Sequence, residues 1–123
     1  MPGERQPTVL IADDSIADRS LLRDVLEAYA CRIVEAHDGA QAIEKALTER
    51  PDVAVLDVRM PQMSGWEVCK YIKSSPALTD VRVLVLTSIG ERLNDLTSPL
   101  YGADAHLDKP FDIDALVDVV AEL

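Results

Sequence analysis

The stretch "TVLIADDS", residues 8–15, decides the fold, because an apolar run ends abruptly in two adjacent carboxylates and a helix-capping serine. The apolar residues predict a buried strand, and Ser15 with Asp18 has the capping-box spacing that begins a helix. Asp13 and Asp14 therefore lie at the tip of the strand. Two carboxylates about 5 Å apart repel each other by roughly 3 kcal/mol at an effective dielectric constant of about 20, which indicates that a cation binds there.

The alternation of strand and helix continues along the 123-residue chain. Four further apolar runs predict strands, at residues 32–36, 53–57, 81–87 and 105–108. Apolar residues at helical spacing predict three helices. The first contains Leu22, Val25, Leu26 and Tyr29, and the second contains Ala40, Ile43 and Leu47. The last contains Ile113, Leu116, Val117 and Val120. Ser64 and Glu67 have the capping-box spacing of a third helix start, and Pro51 ends the second helix. These units predict an α/β fold of the flavodoxin-like (βα)5 type, a three-layer sandwich whose parallel five-stranded sheet has the order 2-1-3-4-5.

The fourth helix is the weakest element of this prediction. Its sequence, "ERLNDLTSPLYGA" at residues 91–103, contains Pro99, which removes a backbone hydrogen bond from a helix interior. We therefore expect a short, kinked or partly irregular helix that ends at Gly102.

Composition restricts the class of protein. The 48% of hydrophobic residues is typical of a globular chain, and we expect a flexible tail at residues 1–7 and one domain at residues 8–123. The net charge of −10 would repel nucleic acid and anionic lipid, and no apolar run is long enough to span a bilayer. Cys31 and Cys69 lack metal-ligand or redox spacing, so we expect buried thiols in a cytoplasmic protein.

Polar side chains follow four of the five predicted strands. Because the carboxyl ends of parallel strands meet at one edge of a sheet, five residues are expected to converge there, namely Asp13, Asp14, Asp57, Thr87 and Lys109. Lys109 offsets one negative charge, and a divalent cation would balance the other two. Carboxylate oxygens without histidine or cysteine suit Mg²⁺, with Mn²⁺ as a second possibility. The sequence thus predicts a metal site that also receives a phosphoryl group.

The chain resembles the receiver domain of two-component response regulators over essentially its whole length. The resemblance lies in four stretches with the family's order and spacing, namely "LIADDS" (10–15), "VLDVRMPQMSGWE" (55–67), "VLVLTS" (83–88) and "HLDKPF" (106–111). It implies that Asp57 accepts a phosphoryl group from the phosphohistidine of a sensor histidine kinase or phosphotransfer protein. It also implies that Asp13, Asp14, Asp57 and the backbone carbonyl of Arg59 hold Mg²⁺.

The same resemblance implies how the signal is read out. Thr87 would donate a hydrogen bond to the phosphoryl group, and the ammonium group of Lys109 would pair with it. The Lys109–Pro110 peptide bond would be cis, and residues 88–90 would reorganise on phosphorylation. A surface made by the predicted fourth helix, the fifth strand and the last helix, here called the output surface, would then contact a downstream protein or form a homodimer. At the switch position, usually Tyr or Phe, the chain has His106, which either packs in the same way or makes the switch pH-sensitive.

Three other functions compete with this one. A pseudo-receiver would be a phosphorylation-independent interaction module of the same fold. A phosphatase of the haloacid-dehalogenase type needs a second acid where the chain has Arg59, and a flavodoxin would not place "ADDSIADRS" (12–20) against a flavin phosphate. We therefore expect a phosphoacceptor domain that assists its own phosphorylation and dephosphorylation, rather than an enzyme. We expect it to act alone, and the alternative is that it belongs to a longer regulator.

Overall fold

The computed structural model describes residues 7–28, 32–87, 103–108 and 113–122. The described strands are β1 (Thr8–Ala12), β2 (Arg32–Ala36), β3 (Val53–Asp57), β4 (Arg82–Thr87) and β5 (Ala105–Asp108). The described α-helices are α1 (Ile16–Glu27), α2 (Gly39–Glu49), α3 (Gly65–Ser74) and α4 (Ile113–Glu122), with a short 3-10 helix at Pro76–Leu78. The predicted fourth helix, around Pro99, lies outside the described residues. The label α4 therefore denotes the helix at Ile113–Glu122, the last helix predicted from the sequence.

The five strands form one parallel sheet in the order β2-β1-β3-β4-β5, which confirms the predicted topology. Parallel neighbours require crossover connections, and helices provide three of them among the described residues. None of the described helices has the length and hydropathy needed to cross a membrane.

Alternate residues of the central strands point to opposite faces of the sheet, which produces two separate cores. One core packs α2 and α3 against residues that include Leu10, Ala54, Leu56, Val83 and Val85. The other packs α1 and α4 against residues that include Val9, Ile11, Val55, Leu84 and Leu86. All of these strand residues are almost fully buried, as expected for strands covered on both faces. The three-layer sandwich is therefore confirmed.

The second helix is present, but its buried face differs from the predicted stripe. Gly39, Ala42 and Ala46 are buried, and Ile43 packs at the edge of the core, whereas Ala40 and Leu47 are exposed. Small side chains let this helix lie close to the sheet, so the larger Leu47 falls on the solvent side.

Local signals fix the helix ends near the carboxyl edge of the sheet. Ser15 Oγ accepts a hydrogen bond from the amide of Asp18 at 3.2 Å, so α1 begins directly after the acidic tip of β1. The capping box predicted for α3 is complete, because Ser64 Oγ accepts from the Glu67 amide and Glu67 Oε1 accepts from the Ser64 amide. Both helix N-termini therefore point toward this edge, where their amides favour negative charge.

Candidate functional site

Three carboxylates meet at the carboxyl edge of the sheet. Ligand oxygens of Asp13, Asp14 and Asp57 all lie within 4.8 Å of one another. The register explains this proximity, because Ala12 pairs with Leu56 and the residue after each is an aspartate of the cluster. Asp13 is fully buried, Asp57 is 7% exposed and Asp14 is exposed, so the cluster opens to solvent on one side.

Asp13 is held by hydrogen bonds to β2, to the capping residue Ser15 and to α1. Its amide donates to the carbonyl of Ala36 in β2 at 3.1 Å, which continues the strand pairing past the end of β1. Its Oδ1 accepts from the amide of Ser15 at 2.9 Å, and its carbonyl accepts from Nη1 of Arg19 in α1 at 2.7 Å. These bonds fix both the backbone and the carboxylate of Asp13.

The end of β3 is held in a similar way by β4 and α3. The amide of Val58 donates to the carbonyl of Leu86, and the carbonyl of Val58 accepts from the amide of Gly65, each at 3.0 Å. A Cβ atom on Gly65 would lie only 2.5 Å from the carbonyl oxygen of Asp57, so α3 begins in direct contact with that peptide. Arg59, whose carbonyl is the predicted fourth ligand of the metal, is exposed in the loop between β3 and α3.

The remaining predicted site residues belong to β4, to β5 and to the sequence that follows β5. Thr87 is buried at the end of β4, and its hydroxyl donates to the carbonyl of Leu107 at 3.4 Å. His106 is exposed on β5, opposite Val85. Lys109, with its predicted cis bond to Pro110, lies outside the described residues, as do residues 88–90.

The donor set of this cluster fits a small hard cation. Three carboxylates provide only oxygen ligands, and among the described residues no histidine or cysteine belongs to the cluster. Such ligands suit Mg²⁺ or Mn²⁺, and the exposed side of the cluster leaves room for the waters or phosphate oxygens that Mg²⁺ retains. The mutual repulsion of the carboxylates favours binding of a cation over an empty cluster.

The family model described as "Response regulator receiver domain" matches residues 9–121, nearly the whole chain. The chain belongs to this family. The resemblance seen in the sequence is therefore confirmed, and neither the phosphatase nor the flavodoxin alternative has support.

Individual relatives agree with the assignment as a receiver domain. The response regulator MprA of Mycobacterium ulcerans is 40% identical over 112 residues, which cover 89% of this chain and 46% of MprA. The structure of the chemotaxis response regulator CheY4 of Vibrio cholerae superposes with a TM-score of 0.88 at 30% identity, covering 96% of this chain and 98% of CheY4. The REC domain of AraT, a response regulator of Geobacillus stearothermophilus, superposes with a TM-score of 0.85 at 32% identity, covering 96% and 92% of the two chains. The receiver domain spans about half the length of the curated relatives it matches.

Two residues that contact the site of this receiver domain were missed in the sequence. Gly65 follows a capping serine, and a glycine at the first position of a helix, where better helix formers are available, signals a close backbone approach. Arg19 gives a weaker signal, because an arginine in the first turn of a helix is usually a solvated surface residue. Only the fold shows that it reaches the carbonyl of Asp13.

Proposed function

We propose that this receiver domain is a phosphorylation-dependent switch, in which Asp57 accepts a phosphoryl group from a phosphohistidine on a sensor histidine kinase or phosphotransfer protein. One observation carries the proposal: Asp13, Asp14 and Asp57 converge within 4.8 Å at the carboxyl edge of the sheet in a chain of this family. Without a cation, each pair of these carboxylates repels by roughly 3 kcal/mol at an effective dielectric constant of about 20, and a bound cation removes that cost.

Asp57 is the nucleophile of this proposal. A carboxylate oxygen attacks the phosphorus atom, the phosphorus–nitrogen bond of the phosphohistidine breaks, and an acyl phosphate forms on Asp57. Later attack by water releases inorganic phosphate and regenerates the carboxylate. Since Asp57 is nearly buried and its strand end is fixed by β4 and α3, it offers its oxygen in a defined direction, which phosphoryl transfer requires.

Asp13, Asp14, Asp57 and the carbonyl of Arg59 would hold Mg²⁺, with Mn²⁺ as an alternative. When bound, the ion neutralises negative charge on the oxygens of the transferring phosphoryl group. Asp13 is fully buried and held by three hydrogen bonds, so it provides a fixed ligand, while exposed Asp14 adjusts to the ion. Lys109 would pair with the phosphoryl group from the other side.

The readout of the proposed switch runs through Thr87 and β5. The Thr87 hydroxyl now bonds weakly to the Leu107 carbonyl, and a phosphoryl group on Asp57 would offer it a stronger, charged acceptor. Movement of Thr87 would free space beside β5 for His106, which is exposed in this structure. The output surface would then change its affinity for a downstream protein or for a second copy of the domain. We expect this switch to work in the cytoplasm and without direct contact with nucleic acid or membrane.

Acetyl phosphate tests the proposal without knowledge of the kinase. The protein is incubated with acetyl phosphate and Mg²⁺, and its intact mass is expected to increase by one phosphoryl group. Asp57→Asn should abolish the gain, because an amide cannot form the acyl phosphate. Chelation of Mg²⁺ by EDTA should suppress it in the wild type.

Asp52→Asn provides the matched control for this experiment. Asp52 immediately precedes the opposite end of β3, where its carboxylate accepts a hydrogen bond from the amide of Thr8, and the amide side chain of asparagine keeps an acceptor. The control is therefore expected to be phosphorylated like the wild type. No gain in the wild type would overturn the proposal in favour of the pseudo-receiver, although the described site gives that alternative no support, since Asp13, Asp14, Asp57 and Thr87 are all in place.

A further inference from the structure

Arg19 joins the acidic tip of β1 to the neighbouring strand. Its Nη1 donates to the carbonyl of Asp13 at 2.7 Å, and its Nε donates to Oε1 of Glu35 in β2 at 3.2 Å. Only 15% of the Arg19 side chain is exposed, so this is not a solvated surface arginine. The planar guanidinium group presents several donors in fixed directions, which lets one side chain hold both acceptors.

The carbonyl that Arg19 binds controls two carboxylates. It belongs to the planar peptide unit between Asp13 and Asp14, so fixing its oxygen also fixes the direction in which the chain enters Asp14. The amide of Asp13 is bonded to Ala36 and its Oδ1 to the amide of Ser15. Those two bonds hold the preceding peptide unit and the Asp13 carboxylate, and the Arg19 bond holds the peptide unit that leads to Asp14 against the repulsion between the carboxylates.

A second arginine fixes Glu35 but does not contact the cluster in this way. Nη1 of Arg23 donates to Oε2 of Glu35 at 2.6 Å, so each oxygen of that carboxylate accepts from one arginine of α1. Arg23 also pairs with Glu27 on its own helix, and its side chain is 39% exposed. It therefore resembles Arg19 in charge, helix and acceptor, and it differs because, within the described part of the chain, its partners are Glu35 and Glu27 and not Asp13.

We propose that Arg19 is a positioning residue for the cation site, which raises the affinity for Mg²⁺ by holding the Asp13–Asp14 peptide unit in the binding geometry. This inference rests on the proposed function, since it takes Mg²⁺ as the ligand of the cluster. Arg19 acts through the backbone of Asp13 and does not itself bind the ion. Glu35 supports it by fixing the direction of the guanidinium group.

The proposal predicts a result opposite in sign to that of a simple charge effect. A positive charge beside a cation site repels the cation, so removing Arg19 as a charge alone would strengthen Mg²⁺ binding. Removing it as a positioning residue weakens binding, because the carboxylates must then be ordered when the ion arrives. Loss of residues that orient metal ligands typically weakens metal binding by about 10- to 100-fold, and we expect about tenfold for a contact made through the backbone.

The test measures Mg²⁺ dissociation constants for the wild type, Arg19→Gln and Arg23→Gln by calorimetry and by fluorescence of the single tryptophan, Trp66. We expect Arg19→Gln to bind about tenfold more weakly. Arg23→Gln carries the same charge change and also loses a bond to Glu35, and it should stay within about twofold of the wild type. Repeating the titrations in high salt screens charge effects and should leave the Arg19→Gln loss in place.

A pair of conservative variants covers the case in which Arg19→Gln does not fold. Arg19→Lys keeps the charge but replaces the planar fork of donors with a single flexible ammonium group, and we expect weaker Mg²⁺ binding than in the matched Arg23→Lys. The inference would be overturned if the Arg19 and Arg23 variants bound Mg²⁺ equally well, both as the glutamine pair and as the lysine pair. Tighter Mg²⁺ binding by Arg19→Gln than by the wild type would also overturn it. Absence of Mg²⁺ binding in the wild type would instead overturn the proposed function, so the two failures are distinguishable. At saturating Mg²⁺, the rate of phosphorylation of Arg19→Gln by acetyl phosphate should recover toward that of the wild type.

Discussion

Replacement of Gly65 by alanine should destabilise the domain and slow phosphorylation of Asp57. An ideal Cβ atom at this position lies 2.5 Å from the carbonyl oxygen of Asp57 and 2.9 Å from its carbonyl carbon. Ordinary contacts begin at 3.4 Å, so the backbone must move apart by about 0.9 Å. The atoms in the way belong to the backbone of Asp57, the proposed nucleophile, and a backbone cannot rotate aside as a flexible side chain would.

The magnitude follows from two opposing effects. Overpacking of this kind typically costs about 1 to 3 kcal/mol. Alanine restricts the unfolded chain more than glycine does, which returns about 0.4 to 1 kcal/mol. The difference spans roughly 0 to 2.6 kcal/mol, and we expect the free energy of unfolding to fall by about 1.3 kcal/mol, the middle of that range. The displaced Asp57 should also react more slowly, because small errors in alignment are costly in phosphoryl transfer.

Gly39→Ala separates the two consequences. A Cβ atom on Gly39 would lie 2.5 Å from Cβ of Met63 and 2.6 Å from its carbonyl oxygen, a clash of the same size that does not involve Asp57. Urea unfolding should show both variants destabilised, whereas acetyl phosphate should modify only Gly65→Ala more slowly than the wild type. A Gly65→Ala protein as stable and as reactive as the wild type would refute the reasoning.

Two further predictions concern the opposite end of the sheet and α3. Burial alone would raise the pKa of the Asp104 carboxyl, but hydrogen bonds from Lys73, the Val83 amide and Arg82 outweigh burial and lower the pKa below its ordinary value of 3.8. A lowered folded-state pKa stabilises the fold above the ordinary value, and this contribution is lost as pH falls through the folded-state value. Asp104→Asn should therefore cost about 1 to 2 kcal/mol in urea unfolding at pH 7 and progressively less below about pH 4, and a difference independent of pH would contradict this. Burial raises the pKa of the Cys69 thiol to about 12, so iodoacetamide at about pH 8 should leave Cys69 unmodified until urea is added; peptide mapping that finds equal labelling in both states would count against this.

The sequence was sufficient for the strands and the order of the sheet because these follow from strong local patterns. Val-, Leu- and Ile-rich runs bounded by polar residues mark β1, β3 and β4, and the alternation with helices leaves few topologies. The convergence of Asp13, Asp14 and Asp57 followed in turn, since it needs only the rule that parallel strands share a carboxyl edge.

The sequence was insufficient where a contact depends on distance between elements. The buried face of α2 is made of Gly39, Ala42 and Ala46, whose small size is informative only once the separation of helix and sheet is known. Arg19 and Gly65 are likewise ordinary residues until the ends of β1 and β3 are in place. Each acts on the site through a backbone carbonyl, and because every residue has a carbonyl, the sequence does not reveal which one is contacted.

The two residues show a common solution to the repulsion within the cluster. After both β1 and β3, the following helix holds the peptide units just beyond the strand, because Arg19 in α1 donates to the carbonyl of Asp13 and the amide of Gly65 in α3 donates to the carbonyl of Val58. Repulsion of roughly 3 kcal/mol per pair acts on the carboxylates and is transmitted to the backbone that carries them. If the backbone were free, the strand ends would separate and the cost of reassembling them would fall on cation binding. Because α1 and α3 pack against the sheet, the free energy of folding already offsets the repulsion between the carboxylates. The attraction between the carboxylates and a cation then contributes fully to the free energy of binding.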